Sequence, residues 1–112
     1  MIDLRGVYAP LVTTFDRRTG ELDVASFVSN IRAHLAAGLD GVLVTGSTGE
    51  AALLDAAERG ALVDAAREAV PADKRLFVGT GAESTRTCLT FTRDAAARGA
   101  QRRRSRSRGE PR

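Results

Sequence analysis

A chain of 112 residues, 43% of them apolar, can bury one small core and is too short for two domains. Its formal charge of +3 is unevenly placed, since residues 1–100 hold 11 Lys and Arg against 13 Asp and Glu, whereas residues 101–112 hold six Arg against Glu110; any acidic partner would belong to the tail and not to the fold. No window approaches the roughly 18 apolar residues of a membrane span and no apolar signal core follows Met1-Ile2-Asp3-Leu4-Arg5, so the expectation is a cytoplasmic protein with no membrane partner.

In chain order, Gly6 to Thr13 reads as a first strand, made irregular by Pro10, which has no amide to donate. Thr14 to Leu22 reads as a loop. Asp23 suits a helix N-cap, and Val24, Phe27, Val28, Ile31 and Leu35 follow at helical spacing until Gly38, suited to a left-handed C-cap. His34, near that helix end, is read as a surface or packing residue. Val42-Leu43-Val44 is apolar without alternation, as in a parallel strand covered on both faces, and runs into Gly46-Ser47-Thr48-Gly49-Glu50. The two glycines permit a tight turn that brings hydroxyls and amides close to a ligand.

Asp55 with Glu58 makes an acidic capping box for a helix over Ala56 to Ala69, with Leu62, Ala65, Ala66 and Ala69 on one stripe and Pro71 closing it. Leu76 to Gly81 reads as a third strand. Ser84 or Glu83 begins a third helix, in which Cys88, Phe91 or Thr92, and Ala95 share a face until Gly99. Cys88, the single cysteine, can close no internal disulfide, and with one histidine it cannot complete a tetrahedral zinc cluster; a buried, inert thiol is expected.

Three strand-helix units thus follow one another, with strand ends at Thr13, Thr45 and Thr80, 32 and 35 residues apart. This is the repeat of an α/β fold with right-handed crossovers, and small polar residues gather at the carboxyl ends of the strands, where such folds bind ligands.

At the second turn the pattern stops being generic. Leu43-Val44-Thr45-Gly46-Ser47-Thr48-Gly49-Glu50 resembles the Gly-Thr/Ser-Thr-Gly-Glu signature of the dihydrodipicolinate synthase and N-acetylneuraminate lyase family. Gly6 to Phe15, Ala37 to Gly41 and Val78 to Gly81 resemble that family's first strand, its approach to the signature and its third strand, so the resemblance covers residues 4 to 100 in register. It implies a β/α barrel of which residues 1–100 are the N-terminal part, the first three of eight units, and a class I lyase or aldolase holding pyruvate or another 2-oxo acid as a Schiff base on lysine. It further implies Ser47 at a proton-relay position, Thr48 at the carboxylate-binding position with Gly46 and Gly49 beside it, no metal or organic cofactor, and a homo-oligomeric parent enzyme.

A barrel of this kind takes about 250 residues. By the resemblance, the relay tyrosine and the Schiff-base lysine would lie beyond Ala100. The one lysine, Lys74, precedes the third strand at the end opposite the ligand face, in a polar connection where it is expected to stay solvated; the one tyrosine, Tyr8, is early in the first strand. The chain by itself is therefore expected to be inactive and, with unpaired sheet edges, poorly soluble or partly molten.

Residues 101–112 are expected to form a disordered Arg/Ser-rich tail, and the abrupt loss of register at Ala100 is what a frameshift in a GC-rich gene would produce. The alternative function is nucleic-acid or acidic-partner binding through Arg102 to Arg108, which lacks interleaved aromatics for base stacking. A nucleotide-binding reading of the glycine turns fails on the missing Gly-Lys-Ser/Thr and the missing last glycine of the dinucleotide fingerprint. A non-catalytic subunit that completes its sheet with another chain is a fourth reading.

Overall fold

The computed structural model describes residues 5–82 and 84–99. Glu83 and the tail at 101–112, both subjects of sequence expectations, lie outside the described residues. The elements are β1 (Tyr8–Pro10), α1 (Val24–Ala36), β2 (Gly41–Val44), a 3-10 turn (Ala51–Leu53), α2 (Ala56–Ala69), β3 (Arg75–Val78) and α3 (Thr85–Ala97). The strands form a parallel sheet in the order β1-β2-β3, with Ala9 beside Val42 and Val42 beside Leu76.

Both outer strands are shorter than the sequence predicts. After Pro10 one more ladder bond forms, from the Leu11 amide to the Leu43 carbonyl at 2.9 Å, and then the Thr13 hydroxyl turns to the Gly49 carbonyl. β3 likewise ends after the Gly79 amide donates to the Val44 carbonyl at 2.8 Å. Within the predicted loop, Phe15 and Leu22 form an antiparallel bridge.

The helix ends follow side-chain chemistry. Asp23 accepts from the Ser26 amide at 3.0 Å and the Ser26 hydroxyl at 2.6 Å, and these bonds to the charged form hold its carboxyl below the usual range. Asp55 and Glu58 exchange bonds of 2.7 and 3.0 Å in a complete capping box. Ser84 caps α3, and Gly38 and Gly99 follow α1 and α3 with φ of +102° and +103°.

Residues two apart on each strand share a face. Val42, Val44 and Leu76 meet Phe27 and Ile31 of α1 and Leu62 and Ala66 of α2 in one buried cluster. Burial of each large side chain there contributes about 1.5–3 kcal/mol. Tyr8, Leu43 and Phe77 point the other way and are half-buried; the Tyr8 and Phe77 rings meet edge to face with centroids 4.9 Å apart. On that face a Cβ at Gly41 would run into the backbone carbonyl oxygen of Arg75 and lie 3.0 Å from Tyr8 Cδ1. Glycine at 41 thus lets the β3 backbone come close, and the Tyr8 ring beside it.

α3 is held to α2 by Arg98. Its Nε donates to Asp94 at 2.7 Å and its Nη1 to Asp64 at 2.6 Å, while its guanidinium fills the space above Gly60. Cys88 on α3 is half-buried and not enclosed as the sequence reading expects, because only Ala95 of this helix is fully buried. His34 Nδ1 donates to the Asn30 carbonyl at 2.7 Å, a local helix bond that agrees with a packing role.

Candidate functional site

β2 delivers the chain to its turn through Thr45. This residue is 2% exposed and has φ of +53°, a region costly for a β-branched side chain, by about 1–3 kcal/mol. Its hydroxyl lies 2.7 Å from the Val44 carbonyl and 2.9 Å from the Gly79 carbonyl, across the seam to the end of β3. A Cβ at Gly79 would fall 2.5 Å from the Thr45 carbonyl oxygen, so the two strand ends touch through backbone.

The turn closes on itself, with the Glu50 amide donating to Ser47 O at 3.0 Å and the Ala51 amide to Gly46 O at 3.2 Å. Glu50 has φ of +58° and leads into the 3-10 turn. Gly49 is buried against β1. Its carbonyl accepts from the Thr13 hydroxyl at 2.6 Å, and a Cβ there would lie 3.1 Å from the Leu11 carbonyl oxygen. Ser47 and Thr48 are exposed, and among the described residues neither their hydroxyls nor the amides of Ser47, Thr48 and Gly49 donate to the protein.

Beside the turn lies an open cavity of about 620 Å³, whose lining includes Gly46, Ser47, Gly79, Arg59, Thr87 and Phe91. Of the four residues singled out in the sequence, Gly46 and Ser47 line it. Thr48 is exposed on the same turn outside the lining, and Gly49 turns toward β1. Tyr8 and Lys74 are not brought to the turn. The Tyr8 hydroxyl donates to the Arg5 carbonyl at 3.2 Å, and Lys74 Nζ, half-buried before β3 and not fully solvated as expected, donates to the Leu39 carbonyl at 3.0 Å.

Arg59 was missed by the sequence reading. It is 6% exposed, its Nη2 donates to the Ala51 and Gly81 carbonyls at 2.9 and 3.1 Å, and its guanidinium lies 4.0 Å over the Phe91 ring. Burial pushes its pKa down, opposed by nearby Cys88. The signal was present: Arg59, Leu62, Val63 and Ala66 fall at helical spacing on one buried face, so a charge sits on the apolar stripe of α2. No cluster of three His, Cys, Asp or Glu side chains able to hold a metal occurs among the described residues.

Known proteins match nearly the whole described chain. The sequence pattern of the Dihydrodipicolinate synthetase family covers residues 3–102. The chain belongs to that family. It is 43% identical over 96 residues to a Coccidioides immitis (strain RS) protein that bears the name of a mitochondrial 4-hydroxy-2-oxoglutarate aldolase, covering 85% of this chain and 30% of that one. It is 41% identical over 95 residues to the 4-hydroxy-tetrahydrodipicolinate synthase of Synechococcus sp. (strain CC9605), covering 84% of this chain and 31% of that one.

Among solved structures, the dihydrodipicolinate synthase of Thermotoga maritima superposes with a TM-score of 0.80 at 35% identity, over 86% of this chain and 32% of that one. The chain thus spans about a third of the length of the relatives it matches. Its three-stranded parallel sheet with flanking helices is the N-terminal part of a family β/α barrel. Among the described residues no helix is long and apolar enough to cross a membrane.

Proposed function

We propose that this chain supplies the oxo-acid carboxylate site of a Schiff-base lyase or aldolase acting on pyruvate or another 2-oxo acid. Thr48, Gly46 and Gly49 form the carboxylate side of the site, and Ser47 stands at the proton-relay position. The observation that carries the reading is the set of donors on one turn with no acceptor among the described residues: two hydroxyls and the amides of Ser47, Thr48 and Gly49. A carboxylate has two oxygens that accept several bonds, and successive backbone amides with hydroxyls match that demand. A serine hydroxyl donates and accepts at once, so Ser47 can pass a proton while remaining neutral.

The family membership and the names of its relatives favour lyase chemistry for the whole enzyme. The nucleophile is a separate matter. An imine-forming lysine works as a free amine, usually through burial or nearby positive charge. Lys74 stands at the amino end of β3 and bonds a carbonyl, far along the strand from the turn. The chain alone is therefore inactive in this account, and the whole enzyme is a cytoplasmic homo-oligomer.

Borohydride added to the chain with pyruvate, followed by intact mass measurement, tests this division of labour. The expected result is no reduced pyruvyl adduct. A stoichiometric adduct on Lys74 would overturn it.

A further inference from the structure

We propose that Arg59 is a positioning residue for the Gly46–Glu50 turn, bracing it from α2 in the shape that receives a carboxylate. The inference rests on the carboxylate reading of that turn. The anchor is firm, because Leu62, Val63 and Ala66, on the same face of α2 as Arg59, are buried in the core. From there Nη2 donates to carbonyls on two separate segments, Ala51 at 2.9 Å in the 3-10 turn and Gly81 at 3.1 Å past β3. Ala51 in turn donates its amide to the Gly46 carbonyl at 3.2 Å, a bond that closes the turn bearing Ser47 and Thr48. The Phe91 ring, 4.0 Å from the guanidinium, seats it from the side of α3. One side chain thus ties the far end of the turn to the mouth of the next unit.

As a purely stabilising group Arg59 is poorly suited. It is 6% exposed, and its Nε and Nη1 are buried without an acceptor among the described residues. A buried cation with no counter-charge costs stability, and an apolar side chain of similar volume is often neutral or better in such a place. Neither carbonyl depends on it, since Ala51 O also accepts the Leu54 amide at 3.1 Å and Gly81 is exposed to solvent. Arg59 lines the same cavity as Ser47, but its two unpaired nitrogens are buried and its third is engaged, so it acts through the turn and not on the ligand.

The test titrates pyruvate into the isotope-labelled full chain as wild type, Arg59→Met and Arg59→Lys, with amide exchange and urea unfolding measured on each. Arg59→Met is expected to keep the urea midpoint and to speed exchange of the Glu50 and Ala51 amides about tenfold, with Leu62 and Ala66 unchanged. Its pyruvate Kd should rise about three- to tenfold, the worth of one hydrogen bond. Arg59→Lys keeps the charge but loses the planar guanidinium, and its Kd should rise too. A lowered urea midpoint or an unfolded chain in Arg59→Met makes the residue structural and overturns the proposal. Wild-type affinity in Arg59→Lys overturns it as well, by making charge and not bracing the cause. No response at Ser47, Thr48 and Gly49 in the wild-type chain sinks the carboxylate reading and this inference with it, whereas a wild-type response unchanged in Arg59→Met sinks this inference alone.

Discussion

Two sets of hydroxyls stand at the carboxyl end of the same sheet, and they are used differently. Thr13, Thr45 and Thr80, one after each strand, are engaged: Thr13 with Gly49 of the next turn, Thr45 with Gly79 of the next strand, and Thr80 with Thr92 of the following helix. The hydroxyls of Ser47 and Thr48, two and three residues past Thr45, are exposed and donate to no group among the described residues. The strand-end threonines stitch neighbouring units together around the turn that carries the exposed pair.

The contrast breaks most severely at the seam between β2 and β3. Gly79→Ala puts a Cβ against the Thr45 carbonyl, where backbone must shift, so about 1–3 kcal/mol of stability should be lost in a urea titration. Thr13→Val removes the 2.6 Å donor to the buried Gly49 carbonyl and keeps the shape. Its expected loss is about 1–2 kcal/mol, and amide exchange should speed up in the Gly46–Glu50 turn. Ser47→Ala and Thr48→Val, by contrast, should change stability by no more than about 0.5 kcal/mol, because neither hydroxyl holds the protein together. A larger loss at either position would make these residues structural.

Ser26 offers a gentler test, being a hydroxyl engaged by the carboxylate that caps α1. The bonds from Ser26 lower the Asp23 pKa in the folded state, so the stabilisation is present above the ordinary carboxylate pKa. It should disappear as pH falls through the lowered value, and Ser26→Ala should flatten that part of the acid limb.

Much of this architecture is legible in the chain. The caps Asp23, Asp55 with Glu58, and Ser84, and the glycines at 38 and 99, announce three helices because each satisfies a local backbone need that depends on few distant residues. Strand length is less legible, since it depends on where Thr13 and Gly79 leave the ladder for partners more than 30 residues away. The tight turn at Gly46 to Glu50 was readable from its glycines. The left-handed Thr45, the close approach of the Arg75 backbone to Gly41 and the guanidinium of Arg59 under Phe91 were not, because each depends on a neighbour that only the packed sheet brings close. Arg59 alone left a trace, as a charge on an apolar stripe.

The central claim is that this chain holds the carboxylate site without the amine that makes the imine. Backbone amide resonances of the isotope-labelled chain, followed as pyruvate is added, test it most directly. Weak, rapidly reversible shifts concentrated at Ser47, Thr48 and Gly49 are expected, abolished by Thr48→Val. Shifts centred on Lys74, or none at the turn at millimolar pyruvate, would contradict it.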